Sequence, residues 1–373
     1  MTPPLLRVGL AGYGGFGRFL HRSWSEMDGV EIVAVASLDA PPEGVRAYAD
    51  WQGLVADPDV DLIAIVTPPD LHAAVAIAAM EAGKHVLVEK PVATTLADAR
   101  RLLATRDQTG RVAAVDFMIR FTPAAEALAA WGRDEPFGRL RRVVVENYAQ
   151  DETLPPEHWF WDPAQSGGIL VEHAVHFIDL VASISPARPV RVDGWTHNRN
   201  ARQEDRVLAT IAYDDGLTAT HHHTFSRPGF FERTTIRLWF DLAEVEMEGW
   251  IPLEGRVRAL VRPGTEEALA ALPGFRETSR RPAPGREEAA VVRVPFNGEP
   301  VEVSDEVAGT FAVADPKPQV YADAVRAMLA DVRRAIADPT HALRTPLEVG
   351  TEALRLALAA THDAHAPRPP LED

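Results

Sequence analysis

The sequence predicts an N-terminal α/β Rossmann domain, a doubly wound parallel sheet, followed by an α+β domain on a large, mostly antiparallel open sheet. Three observations carry this. Up to about Asp116, short apolar runs alternate with stretches of helical period. Beyond about Leu140, strand-like runs follow one another with few helices between. Gly12, Gly14 and Gly17 stand between the first apolar run and the first helical stretch. A chain of 373 residues, 46% hydrophobic and 25% charged, suits two globular domains.

In the first part the apolar runs are 7–11, 32–36, 62–66, 85–88 and 112–115. They lack in/out alternation, as strands of a parallel sheet covered on both faces do. Helical stretches are expected over 16–27, 71–82 and 96–109. Thr94 or Thr95 can cap the last, and Gly83 and Gly110 end two of them. In the second part, strands are expected over 140–149, 190–196, 207–213, 217–225, 234–240 and 244–248. Helices are expected over 169–183, 319–337 and 346–362. Asp214-Asp215-Gly216 is a tight-turn signal that makes an antiparallel hairpin of its flanking strands. Residues 264–304, rich in Pro, Gly, Arg and Glu, receive no assignment. The reading divides the chain into a dinucleotide-binding domain over 1–120, a substrate and oligomerisation domain over 121–363, and a frayed tail over 364–373.

Composition removes several function classes. Lys+Arg number 38 and Asp+Glu 54, a net charge of −16, which disfavours nucleic-acid binding. With no cysteine, disulfides, thiolate catalysis, zinc-thiolate sites and iron–sulfur clusters are excluded. Met1-Thr2-Pro3-Pro4 lacks the basic start of a secretory signal. No run reaches the roughly 18 uninterrupted apolar residues of a membrane span. A cytoplasmic protein that engages no membrane is expected.

The loop Gly12-Tyr13-Gly14-Gly15-Phe16-Gly17 matches G-x-G-x-x-G in the strand-to-helix context that gives the motif its meaning. Gly12 permits the tight turn, Gly14 lets a pyrophosphate approach the backbone, and Gly17 lets the helix pack on the strand. About 20 residues further on, where an acid binds the ribose hydroxyls of NAD, stand Ser37 and Asp39. Asp39 suits NAD. Ser37 leaves room for the phosphate of NADP, with Arg46 the nearest basic partner. The reading is NAD or NADP, leaning to NAD.

Further motifs are more specific. Thr67-Pro68-Pro69-Asp70-Leu71-His72 follows the third run. Ala82-Gly83-Lys84-His85-Val86-Leu87-Val88-Glu89-Lys90-Pro91 contains the fourth. Later come Arg120-Phe121-Thr122-Pro123, Trp161, and a Gly167-Gly168 helix carrying Glu172, His173, His176 and Asp179. Together these resemble the Gfo/Idh/MocA family, the glucose–fructose oxidoreductase and inositol dehydrogenase group, over most of the chain. The resemblance implies an NAD(P)-dependent dehydrogenase acting on a CH–OH group of a sugar, cyclitol or related polyol. It implies that Lys90 reaches both nicotinamide and substrate, with Thr67, Pro68, His72 and Glu89 on the cofactor side. Arg120, Trp161, Glu172, His173 and His176 would contact substrate. Two departures touch function: Glu172 stands where the family has Asp, and the segment between Asp39 and Trp51 is too short for the family's helix.

Lys90, His176 and Glu172 are the expected catalytic residues, Lys90 and His176 exchanging the proton and Glu172 orienting a hydroxyl. Beside a positive nicotinamide and partly desolvated, Lys90 is expected to have a lowered pKa. The plainer alternatives are a solvated Lys90, a helix-face Glu172, and a His176 bonded to Asp179. Arg120 would bind polar substrate groups or pair across the domain junction. Alternation sends His221 and His223 to one strand face and His222 to the other; no third ligand has motif spacing, and no metal site is expected. Competing functions are a redox-neutral NAD-dependent glycoside-cleaving enzyme and a dinucleotide-binding sensor with degraded chemistry. A homo-oligomer, dimer or tetramer, is expected through the C-terminal sheet.

Overall fold

The computed structural model describes residues 5–37, 41–286, 290–296 and 299–367. Asp39 and the end of the predicted tail lie outside the described residues. In chain order the elements begin β1 (Leu6–Ala11), α1 (Gly15–Trp24), β2 (Val30–Ala36), β3 (Arg46–Tyr48), α2 (Trp51–Val55), β4 (Leu62–Ile65), α3 (Pro69–Glu81), β5 (His85–Glu89), α4 (Leu96–Thr109) and β6 (Ala113–Asp116). These strands form one parallel sheet in the order β3-β2-β1-β4-β5-β6. The order reverses between β1 and β4, and the crevice outside the strand ends at such a switch point is where open α/β sheets bind ligands. β4 and β6 are buried at every position, as two-sided coverage requires. Helix α4 occupies the predicted span. The Thr95 hydroxyl accepts the Asp98 N–H at its start, and Gly110, at φ 65°, ends it in the left-handed region. The described part of the segment before Trp51 holds the edge strand β3, and the five-residue α2 begins at Trp51 itself.

The chain continues α5 (Pro123–Asp134), β7 (Leu140–Gln150), α6 (Pro163–Ser166), a π-helical turn (Leu170–Ala174), α7 (Val175–Ile184), β8 (Pro189–Asn200), β9 (Gln203–Tyr213) and β10 (Thr218–Arg227). Then come β11 (Arg233–Phe240), β12 (Ala243–Glu248), β13 (Glu254–Val261), α8 (Glu266–Ala270), β14 (Arg276–Pro282), β15 (Val292–Phe296), β16 (Glu299–Val303), β17 (Asp305–Ala312), α9 (Lys317–Ala337) and α10 (Leu347–Ala364). Nine strands form a mixed sheet, β14-β17-β13-β12-β11-β7-β10-β9-β8, antiparallel except for β7 beside β10. The predicted hairpin across Asp214–Gly216 is β9–β10. The unassigned stretch 264–304 contains α8, β14 and the two-stranded ladder β15–β16. β14 is polar and mostly exposed along its length, so only its backbone ladder to β17 marks it as a strand.

By internal contacts the chain forms two compact units that cross the boundary drawn from sequence. The first joins Met1–Phe121 with Pro156–Asp179 and Pro318–Leu358; the second holds Thr122–Pro155, Leu180–Lys317 and Ala359–Asp373. The helical stretch Pro163–Ile184 is long and apolar enough to cross a membrane by composition, and most of it is buried inside the protein. The core of the second unit includes Trp131 of α5, ringed by Phe137 and Phe240 at 4.4 and 5.6 Å between centroids.

Candidate active site

Every described residue that the sequence singles out as catalytic, cofactor-side or substrate-side belongs to the first compact unit. The glycine loop closes the carboxyl end of β1. Gly12 has φ +105°, and a Cβ there would lie 2.5 Å from the Val66 carbonyl oxygen. A Cβ on Gly17 would lie 2.5 Å from the Gly12 carbonyl oxygen, so this glycine is required by packing. Gly14 and Gly15 instead face open space. Gly14 caps α1 with no side-chain hydrogen bond, and the first turn carries no acid. Unmet amides, open space and no negative charge fit a pyrophosphate. Tyr13 and Phe16 do not line that space with polar groups. Tyr13 is buried with its hydroxyl 2.8 Å from His21 Nδ1, and Phe16 packs against Phe19 and Tyr321. The Thr67 hydroxyl, beside the switch point, is buried without a hydrogen-bond partner, a second feature that a bound cofactor would satisfy. Ser37 ends β2 with its amide donating to the Tyr48 carbonyl. Arg46 is spent on Asp57 at 2.8 Å and Asp59 at 3.1 Å.

His72, in the first turn of α3, is buried, with Nδ1 2.7 Å from the Pro91 carbonyl oxygen and Nε2 2.9 Å from that of Thr67. Burial lowers its pKa, against the pull of the two carbonyls. The neutral ring donates to one of them and sits between the Thr67 loop and the segment after Lys90. Its relation to any cofactor is through those two backbones.

Lys90 follows β5. Its Nζ donates to Glu172 Oε1 at 2.6 Å and to the Glu172 carbonyl oxygen at 2.9 Å. Both side chains are 14% exposed. The carbonyl that Lys90 takes belongs to the π-helical turn Leu170–Ala174, a winding irregularity that recurs at functional sites. Glu172 and His176 thus straddle the change from π to α winding instead of lying on one regular helix. Burial opposes the charge on Lys90, but Glu172, Glu89 and Asp116 outweigh it and hold the amine above the ordinary lysine value. The expected fall is tied to a neighbouring nicotinamide; in the protein alone Lys90 is an ammonium. Burial likewise opposes ionisation of Glu172, and the Lys90 charge overcomes it, so Glu172 is a carboxylate.

His176 is buried, with Phe117 edge-on at 5.9 Å between centroids. Burial first, then the Lys90 charge and His173, push its pKa well down, so the imidazole is neutral. His173 is driven to about 4 by burial and Lys90, against Glu172. Asp179, the partner weighed for His176, carries an ion pair of its own. Asp179 binds Arg120 through two bonds of 2.6 Å, and burial still lifts its carboxyl to about 6. Arg120 also donates to the Arg344 carbonyl, so its guanidinium is engaged by protein on two sides. Trp161 is buried edge-on against Phe160 at 5.0 Å.

Sequence reading missed Asp116 and Tyr321. Asp116 closes β6 opposite Glu89 and is pushed up to about 6, chiefly by burial. Burial and Asp116 raise Glu89 well above the usual carboxylate range. Tyr321, on α9, lies in the field of both acids. A lone acid closing an apolar strand was the available signal. A hollow of the second unit, lined by residues such as Glu246, Arg256 and Phe311, shares no residue with this cluster.

Residues 6–117 match the family model described as an oxidoreductase family with NAD-binding Rossmann fold, and 125–241 match the Gfo/Idh/MocA C-terminal domain. The chain belongs to the Gfo/Idh/MocA oxidoreductase family. Its Rossmann unit is accordingly an NAD(P)-binding one. A 1,5-anhydro-D-fructose reductase of Ensifer adhaerens is 32% identical over 215 residues, 53% of this chain and 63% of the relative. A 1-carboxy-3-chloro-3,4-dihydroxycyclohexa-1,5-diene dehydrogenase of Comamonas testosteroni is 28% identical over 278 residues, 70% of this chain and 69% of the relative. The matched part thus spans under two thirds of the first relative's length. The aldose–aldose oxidoreductase of Caulobacter crescentus, crystallised with glycerol, shares the fold with TM-score 0.71 at 20% identity, covering 96% of this chain and 97% of that one.

Proposed function

We propose that this family member is an NAD(P)-dependent dehydrogenase that interconverts a secondary alcohol and a ketone on a sugar, cyclitol or related polyhydroxylated ring. The observation that carries the reading is the Lys90 ammonium at the end of β5, held 2.6 Å from Glu172 one helical turn before a neutral His176. Bound nicotinamide supplies the hydride acceptor: the secondary alcohol and NAD(P)+ give the ketone, NAD(P)H and a proton. The charged Lys90 donates a hydrogen bond to the reacting oxygen and stabilises negative charge developing there. The neutral His176 takes the hydroxyl proton. Glu172, by holding Lys90, orients it, and its extra methylene relative to Asp still reaches the amine. Polyhydroxylated substrates are supported by the names of the relatives, a sugar-derived reductase and a dihydroxylated-ring dehydrogenase. NAD over NADP is supported by the commitment of Arg46 to Asp57 and Asp59, which leaves it a poor partner for a ribose phosphate. Self-association through the nine-stranded sheet completes the reading; a monomer in sedimentation would contradict it.

The test is binding of NAD(H) and NADP(H), followed by a panel of sugars and cyclic polyols read at the nicotinamide absorbance. Net reduced cofactor is expected; product without it would favour redox-neutral cleavage. Lys90→Ala should lower turnover at least about a hundredfold, and unchanged turnover would remove Lys90 from the reaction.

A further inference from the structure

Beneath Lys90 lies a pair of acids that the proposed reaction does not use. Glu89 and Asp116 are register partners on the adjacent parallel strands β5 and β6, at the carboxyl edge of the sheet. Paired residues of neighbouring strands project to the same face. Asp116 is 2% exposed. Its Oδ1 accepts the Met118 N–H at 3.1 Å, while its Oδ2 is fully buried with no hydrogen-bond partner. Glu89 Oε2 accepts the Lys90 backbone N–H at 3.1 Å. Among the described residues, no arginine or lysine forms an ion pair with either carboxyl. Two carboxylates side by side, one buried and one half-buried, without a bridging cation do not both ionise. One proton between them removes the repulsion and gives the unmet oxygen a partner.

We propose that Glu89 and Asp116 hold a single proton between them and act as a positioning pair, the electrostatic counterweight of Lys90. The groups facing the pair are the Lys90 ammonium on the same strand, Glu172 from the π-helical turn and the Tyr321 phenol from α9. With one shared proton the pair carries a single negative charge. Glu172 carries another, and Lys90 sits in the field of both. Lys90 therefore stays charged through the range in which a lysine near a cationic ring would lose its proton. The pair titrates as a unit, so its apparent values belong to neither residue alone. The consequence for Lys90 as hydrogen-bond donor rests on the function proposed above; the shared proton does not.

The experiment has two arms on the full chain. Infrared spectroscopy of the protein without cofactor, at neutral pH in heavy water, should show the carbonyl stretch of a buried protonated carboxyl. Glu89→Gln should abolish it, because the amide introduced by that change can donate to an ionised Asp116. A wild-type spectrum identical to that of Glu89→Gln, or of the double variant with Asp116→Asn, would overturn the shared proton. In the second arm, the double variant Glu89→Gln with Asp116→Asn removes the pair's charge, whereas either single change leaves one carboxylate. The Nζ resonance of Lys90 should then titrate lower by about one pH unit, and the alkaline limb of kcat/KM should move with it. A purely structural role would lower thermal stability or kcat and leave both titrations in place, which would overturn the positioning role. Should no substrate be turned over, the infrared band and the Lys90 resonance still decide this proposal, while the dehydrogenase reading fails separately.

Discussion

Two clusters of buried titratable groups, one in each compact unit, behave in opposite ways. Around Lys90, burial is opposed by partners: Glu172 and the acids behind it keep an ammonium charged where few charges survive. On β10 of the second unit, His221 and His223 are fully buried, their rings stacked at 6.4 Å and 10°. Both ring nitrogens of His221 lack hydrogen-bond partners, and burial alone drives it to about 4. Among the described residues, no three His, Asp or Glu gather into a metal-binding group. The first cluster is organised to hold charge and the second to exclude it. Burial alone therefore does not separate the two clusters; opposite charges within hydrogen-bond reach distinguish the one that holds charge from the one that excludes it.

The contrast can be broken at its charged end first. Arg120→Ala strands the buried Asp179 and should cost about 3–5 kcal/mol near neutral pH. Asp179 already titrates at about 6 with its arginine in place. Without it the folded-state value rises further, and a carboxyl raised in the folded state loses stability as pH rises. The cost should thus be larger at about pH 8 than at about pH 5 in denaturant unfolding. A cost equal at both would mean that Asp179 is not the stranded charge. At the neutral end the sign reverses. His221 keeps a folded value of about 4 against an ordinary 6.5. Its contribution is present above 6.5 and lost as pH falls through 4, because the unfolded chain takes the proton first. The full loss is roughly 3 kcal/mol. His221→Leu should flatten that part of the acid limb; a parent-like slope would show that the ring is protonated in the fold. The smallest effect is a local one that sets the scale. Thr95→Ala, which removes the α4 cap, should cost about 1 kcal/mol, seen as a lower Tm with little dependence on pH.

Much of this was legible along the chain. Helix α4 needed only Thr95 and Gly110, and the parallel sheet only the apolar runs between glycines. The alternation that hides His221 and His223 while leaving His222 half-buried follows from strand geometry. Within the site, the glycine loop, Lys90, Glu172 and His176 were named from motif and resemblance. Their electrical state was not. The Lys90 amine was expected to be weakened beside a nicotinamide; in the protein alone it is held above the ordinary lysine value, because three acids converge on it from β5, β6 and the π-helical turn. Arg120, weighed as a substrate contact or a junction pair, and Asp179, weighed as a partner of His176, lie 59 residues apart and hold each other. The missed β14 had no apolar face to announce it.

Backbone preferences act over a few residues, so periodicity, caps and glycines sufficed for the elements and for the dinucleotide loop. Protonation is set by charges and solvent within several ångströms in space. Those neighbours come from strands and helices far apart in the chain, so only the folded arrangement could decide which acids share a proton and which amine stays charged.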